Sequence, residues 1–199
     1  KLPIVVLNIG GVTNATIINK NNSFIGFDIG PGNGPLDSIV FEKLKINMDV
    51  DGNIASKGKA SKVIASEIIN NFYNSIKTNS FDRNKLDKLC LEGVRKLNCN
   101  DALATITLVI CNIILSKIKP YNPKKIILVG GGRKNIFLVK SLIQMFMCPV
   151  ILAEDIGWDG DSLEAQAFAY LAVRSLLGLY ITNKETTGVF KPLSGGVLH

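Results

Sequence analysis

The chain has 199 residues, 47% hydrophobic and 20% charged, with 18 glycines, 7 prolines and a formal net charge of +7. This is ordinary composition for a globular domain with a core of its own, and it excludes a disordered, collagen-like or disulfide-knot protein. It also excludes a conventional spanning segment. The longest apolar candidate, Ala102 to Ile118, is broken by Thr105, Thr107, Asn112, Ser116 and Lys117.

The chain opens on Lys1 and passes directly into PIVVL, with no charged and apolar leader of the signal-peptide kind. A start like this reads as a fragment, a processed product or the second piece of a larger protein. Three short apolar runs at about 3–9, 13–19 and 23–28 predict consecutive strands. Gly10-Gly11 makes the first turn and Asn21-Asn22 the second, since these residues tolerate the positive φ of tight hairpins. Residues 28–34, DIGPGNG, read as a loop. Pro35 suits the first turn of a helix carrying Leu36, Ile39, Val40 and Leu44.

Residues 47–58 read as irregular. Helices follow at about 59–76 (Val63, Ile64, Ile68, Phe72) and 84–96 (Leu86, Leu89, Cys90, Val94), separated by a loop from Lys77 to Asp82. Asn100 or Asp101 is placed to cap a helix running to about Lys117, apolar over most of its girth and so covered on more than one side. Lys125 to Val129 predicts a buried strand ending in three glycines. A helix from Asn135 to Phe146, a strand from Pro149 to Leu152, a helix from Leu163 to Leu176 and a loop-like tail complete the chain. The order β-β-β-α, a helical excursion, then α-β-α-β-α predicts an α/β fold with a mixed sheet. Three strands are hairpin-linked, helices lie on both faces, and the excursion is a mainly helical insertion at about 47–100 of a single domain, 1–199.

The charge is not arranged as a basic stripe. Seven basic residues and no acid lie between Leu115 and Met145, and five acids and no base between Val150 and Tyr170. With no stacking aromatic motif or zinc-finger spacing, no nucleic-acid partner is expected, and the Lys, Ile and Asn excess reads as genome bias. Cys90, Cys99, Cys111 and Cys148 form no CxxC pair and read as core thiols of a reducing, cytoplasmic compartment, with no membrane partner. The sole histidine is His199.

Three loops fall just after strands: Asn8-Ile9-Gly10-Gly11, Asp28-Ile29-Gly30-Pro31-Gly32-Asn33 and Gly130-Gly131-Gly132-Arg133-Lys134-Asn135. Glycine admits a bulky anion close to the backbone, and a following helix adds a positive dipole end. A tight turn explains any one of them equally well; three in this topology point to a nucleotide or phosphate site. None is a dinucleotide GxGxxG or a Walker A loop. Asp28 could hold a magnesium ion through water, orient a hydroxyl, or simply form an Asx turn or cap. Asp161-Ser162-Leu163-Glu164 has the spacing of a capping box, and its two carboxylates could equally hold sugar hydroxyls.

Read in order, LNIGGVTNAT (7–16), GFDIGPGN (26–33), DGNIASKGK (51–59), SFDRN (80–84), DALATIT (101–107), VGGGRKN (129–135), SLEAQAFAYLAVRSLLGL (162–179) and the tail TTGVFKPLSGGVLH (186–199) resemble the anhydro-N-acetylmuramic acid kinase family. The resemblance implies the actin-like ATPase fold, ATP and Mg²⁺ as cofactors, and 1,6-anhydro-N-acetylmuramic acid as substrate. The sugar would be hydrolytically opened and phosphorylated to N-acetylmuramic acid 6-phosphate in peptidoglycan recycling. It further implies that this chain corresponds to the second, C-terminal domain. The catalytic base then lies in an N-terminal domain outside the chain, and the kinase is a homodimer. Thr78-Asn79 stand where the family tends to carry Pro-Lys.

By position, the resemblance implies phosphate binding by Asn8, Gly10, Gly11, Asp28, Gly30, Gly32 and Asn33, with Asp28 also holding metal through water. It implies nucleotide binding by Gly130, Gly131, Gly132 and Asn135, and substrate binding by Asp161 and Glu164. The alternative is a non-catalytic remnant or interaction domain that keeps the ATPase fold.

Overall fold

The computed structural model describes residues 1–21, 23–75 and 81–196. The Asn22 half of the second hairpin turn, Thr78, Asn79, Ser80 and His199 lie outside the described residues. β1 (Ile4–Ile9), β2 (Val12–Ile18) and β3 (Phe24–Pro31) form an antiparallel meander, and β4 (Lys125–Val129) and β5 (Val150–Leu152) extend it in parallel. The strand order is β3-β2-β1-β4-β5, with β2 alone reversed. This is the mixed sheet with three hairpin-linked strands that the element order predicts.

Strand alternation decides which face is buried. Val5, Leu7 and Ile9 of β1 point into the main core with Ile17, Ile29, Ile126 and Leu128. Over that face pack α1 (Asn33–Leu44), α2 (Lys62–Ser75), α3 (Arg83–Val94), α4 (Cys99–Ile118) and α5 (Ile136–Met145). The central member is α4, with twelve of its twenty residues buried. Its length and hydropathy would suit a membrane, but here it is a core helix wrapped by α1, α2, α5 and β3. The opposite face carries Ile4, Val6, Ile127, Val129 and Ile151 and is covered more thinly. Leu163 at the start of α6 (Leu163–Leu176) packs there, and the short α7 (Lys184–Thr187) lies against β3. No residue of α6 is buried.

Several local expectations are corrected. The segment read as a loop from Asp28 is strand as far as Pro31. Val12 pairs with Pro31 and Thr13 with Gly30, Ile29 is a bulge, and the Thr13 hydroxyl donates to the Pro31 carbonyl at 3.0 Å. α1 therefore starts at Asn33, and Leu44 is exposed. Neither Asn100 nor Asp101 caps α4: Asn98 does, accepting from the Asp101 N–H at 2.9 Å, while the Asp101 carboxylate accepts from the Lys59 N–H. Asp161 and Glu164 form no capping box, since the N-cap of α6 is Ser162 and its side chain makes no cap bond. The tail carries α7. Cys90 and Cys111 are buried free thiols, and desolvation pushes both up to about 12.

Candidate functional site

β1 and β4 run in parallel and end side by side, so their following turns share one rim of the sheet. Gly10-Gly11 reverses the chain into β2. The N–H groups of Gly32 and Gly34 donate to the Gly11 carbonyl at 3.1 and 3.2 Å, and that of Asn33 donates to the Gly10 carbonyl at 2.7 Å. The first hairpin turn is thereby bonded to the start of α1. It also occupies the N–H groups that a phosphate would otherwise meet at that helix end. The third turn closes the group. Gly130 has φ +77, a conformation that only glycine adopts without strain, and Gly130 and Gly132 rest against Asn8 and Ile9. The Asn33 amide faces Gly131. All three glycine turns thus converge.

A Cβ would be tolerated at two glycines of this rim. At Gly10 it would meet only the Val12 carbonyl oxygen at 3.5 Å, and at Gly131 only the Asn33 amide nitrogen at 3.6 Å. Neither glycine is demanded by packing inside the chain, which leaves room there for something from outside. The N–H groups of Gly131 and Gly132 begin a 3-10 turn and so have no acceptor within it. Beside them opens a cavity of about 450 Å³ lined by Asn8, Val129, Gly130, Gly131, Trp158 and Glu164, among others. Rim and cavity together suit a nucleotide: backbone N–H groups for phosphates and a partly apolar recess for a base or sugar.

The expected site residues do not all serve this rim. Asn8, Gly10, Gly11, Gly32, Asn33, Gly130, Gly131 and Gly132 gather there, whereas Gly30 is buried against Phe72. Asn135 caps α5, accepting from the Leu138 N–H at 3.0 Å. Asp161 binds Arg133 Nη2 at 2.8 Å and Lys134 Nζ at 2.7 Å, and Arg133 also bonds Glu154 and the Gly130 carbonyl. The Asp161 oxygens therefore brace the nucleotide-side turn. Their bonds to Lys134 and then Arg133 hold the carboxyl below its ordinary range. Glu164 lines the cavity.

Asp28 stands apart. It pairs with Asn14, which pairs with Asn8, so the three form one row across β3, β2 and β1, with Asp28 roughly 10 Å from Asn8 at the usual strand spacing. One Asp28 oxygen accepts from the Phe81 N–H at 3.3 Å, and the residue lines a second cavity of about 690 Å³ between β2, β3 and α7. Among the described residues no three His, Cys, Asp or Glu side chains converge on a metal position. Mg²⁺ needs no such cage, because it keeps most of its water and takes phosphate oxygens.

Sequence reasoning missed Asn14 and the buried Arg133. The first was available in principle, since a turn at Gly10-Gly11 sets Asn14 opposite Asn8. The second was not, because its carboxylates lie 21 and 28 residues away.

A five-stranded mixed sheet with one reversed strand, glycine turns gathered at its rim and a cavity beside them form the α/β arrangement expected for the actin-like ATPase fold. The chain belongs to the anhydro-N-acetylmuramic acid kinase family, which it matches over residues 2–199. Relatives of that name include those of Paramagnetospirillum magneticum (37% identical over 200 residues, covering 99% of this chain and 56% of the relative), Acidiphilium cryptum (35%, 98% and 54%) and Zymomonas mobilis (36%, 99% and 54%). The chain spans about half the length of the curated relatives it matches. Among solved structures, the activator of the 2-hydroxyisocaproyl-CoA dehydratase from Clostridium difficile with bound ADPNP overlays with a TM-score of 0.49. The overlay is 14% identical and covers 75% of this chain and 53% of that one.

Proposed function

We propose that this chain is the nucleotide-binding half of an ATP-dependent sugar kinase acting on 1,6-anhydro-N-acetylmuramic acid. The observation that carries the reading is the convergence of the three glycine turns, with Gly10 and Gly131 left open to an incoming group. ATP would lie along that rim, its phosphates against Gly10, Gly11 and the Asn33 side-chain amide, whose backbone N–H is already taken, and its adenosine toward Gly131. Glu164 would face the sugar, and Asp28 would hold Mg²⁺ through water. Asn8 would orient the phosphates from the end of β1.

In the reaction, water adds at C1 of the sugar as the base takes its proton, the bond from C1 to O6 breaks, and O6 bonds to the γ-phosphorus of ATP as the bond from that phosphorus to the β-phosphate oxygen breaks and ADP leaves. The chain's own share is positioning and charge stabilisation. The water-activating base belongs to the complementary half, whether that half is part of the same polypeptide or another. The same reading places the work in cytoplasmic peptidoglycan recycling, in keeping with the free thiols, and in a homodimer.

The test is calorimetry with MgATP, followed by sugar phosphorylation with and without the complementary half of the family. The chain should bind MgATP, leave the sugar untouched alone, and support phosphorylation once the other half is supplied. Gly131→Asp should weaken ATP binding at least roughly tenfold, about 1.4 kcal/mol, because its side chain would fill the space left open beside Gly131, where the adenosine lies. Absence of nucleotide binding in both settings would defeat the reading.

A further inference from the structure

The SFDRN segment contributes Arg83, which no feature of the rim described so far accounts for. Arg83 is the first residue of α3, and its side chain runs along Gly11 and Gly34 of the glycine rim. A Cβ on Gly11 would stand 3.1 Å from its Cδ and Nε and 3.2 Å from its Cζ. A Cβ on Gly34 would stand 3.0 Å from the same Nε. The side chain therefore lies along the hairpin turn and the first turn of α1; Gly34 is closed to a larger residue by the Gly11 carbonyl, whereas at Gly11 only Arg83 itself stands in the way.

One carboxylate holds it there. Asp87, one helical turn on, stands 3.6 Å from Nε. It is itself fixed by the Ser38 hydroxyl, which donates to it at 2.9 Å. Asp87 is the inner member of the pair, its side chain 14% exposed against 56% for Arg83. Asp37 lies close enough to share the field of both. Among the described residues neither terminal nitrogen of Arg83 makes a hydrogen bond. An arginine at the first position of a helix also sits against the positive end of the helix dipole, where an acidic residue would be favoured. A cation placed against a helix N-terminus and beside a glycine turn, with its terminal nitrogens open, is suited to an incoming anion.

We propose that Arg83 is the cationic clamp for the terminal phosphates of the bound nucleotide, its guanidinium lying beside Gly11. The inference rests on the glycine rim being the nucleotide site. A guanidinium suits this role better than an ammonium because its paired donors match two phosphate oxygens.

The test compares the intact chain with Arg83→Gln and Arg83→Lys by calorimetry against magnesium tripolyphosphate, MgATP and adenosine, with melting curves taken without ligand. The wild type should bind tripolyphosphate and ATP. R83Q should lose at least roughly tenfold on both, about 1.4 kcal/mol, and keep its adenosine affinity; R83K should fall between. Unchanged tripolyphosphate affinity in R83Q, or an equal loss on adenosine, overturns the proposal, as does a wild type that binds adenosine but no polyphosphate. Failure to bind any of the three probes removes the nucleotide site as a whole. If R83Q does not fold, R83K decides: a selective loss on the phosphate-bearing probes supports the clamp, and equal affinities overturn it.

Discussion

Gly131 and Gly132 are neighbours with opposite constraints. A Cβ at Gly132 would overlap the Ile9 side chain in the core, whereas at Gly131 it would meet one amide nitrogen at ordinary contact distance. Gly132→Ala should therefore cost about 1 to 3 kcal/mol through overpacking, and Gly131→Ala should stay within about 0.5 kcal/mol; urea unfolding of the two variants checks this. The glycine turns were legible as a class of anion-holding loop. What each glycine accommodates was not, because Arg83 reaches Gly11 and Ile9 underlies Gly132 only once the sheet has formed. Asn135 illustrates the ambiguity from the other side: a polar residue before a helix reads alike as ligand or cap, and here its oxygen receives the Leu138 N–H.

The turn between β4 and α5 is held by an ion-pair cluster, not by packing alone. Arg133, 6% exposed, links Glu154, Asp161 and the Gly130 carbonyl. Glu154 is held below its usual range by its backbone hydrogen bond and then by Arg133, and Asp161 by Lys134 and then Arg133. Depressed carboxylate values mean that the contribution is present above the unfolded values of about 4 and fades as pH falls through the lower folded ones. Acid titration below pH 4 should release this turn, followed by amide exchange at Gly131 to Lys134. In Asp161→Asn the turn should already exchange faster at neutral pH and change less on acidification, since one of the two acid-sensitive partners of Arg133 is gone. A turn whose exchange is insensitive to acid would contradict the brace.

Element boundaries divide by the same logic. β4 and α6 are bounded as the sequence predicts, because apolar runs and flanking glycine or proline agree there. β3 was read three residues short, since Gly30 and Pro31 look like loop while their pairing with Thr13 and Val12 continues the strand.

Taken whole, the molecule is lopsided. Five helices cover one face of the sheet, and α6 turns Ala165, Phe168, Ala169, Ala172, Val173 and Leu176 outward along one side, with Phe168 66% and Leu176 67% exposed. On the proposed homodimer, with α6 at its contact, replacing Phe168 and Leu176 by Asp should lower the sedimentation coefficient toward that of a single chain, and an unchanged dimer would place the contact elsewhere. Urea stability should shift by no more than about 0.5 kcal/mol per site, as nothing on α6 is buried. The mixed sheet was legible from the order of its elements. The bareness of α6 was not, because a helix with apolar residues on several sides suits a subunit contact and an enclosed position equally well.

The bonds from Gly32, Asn33 and Gly34 to the Gly10 and Gly11 carbonyls have a consequence for affinity. Because folding itself ties the hairpin tip to α1, the entropy of ordering that tip is lost before any guest arrives. Association then draws on a preorganised surface, and little of the contact energy is diverted into freezing a wandering loop.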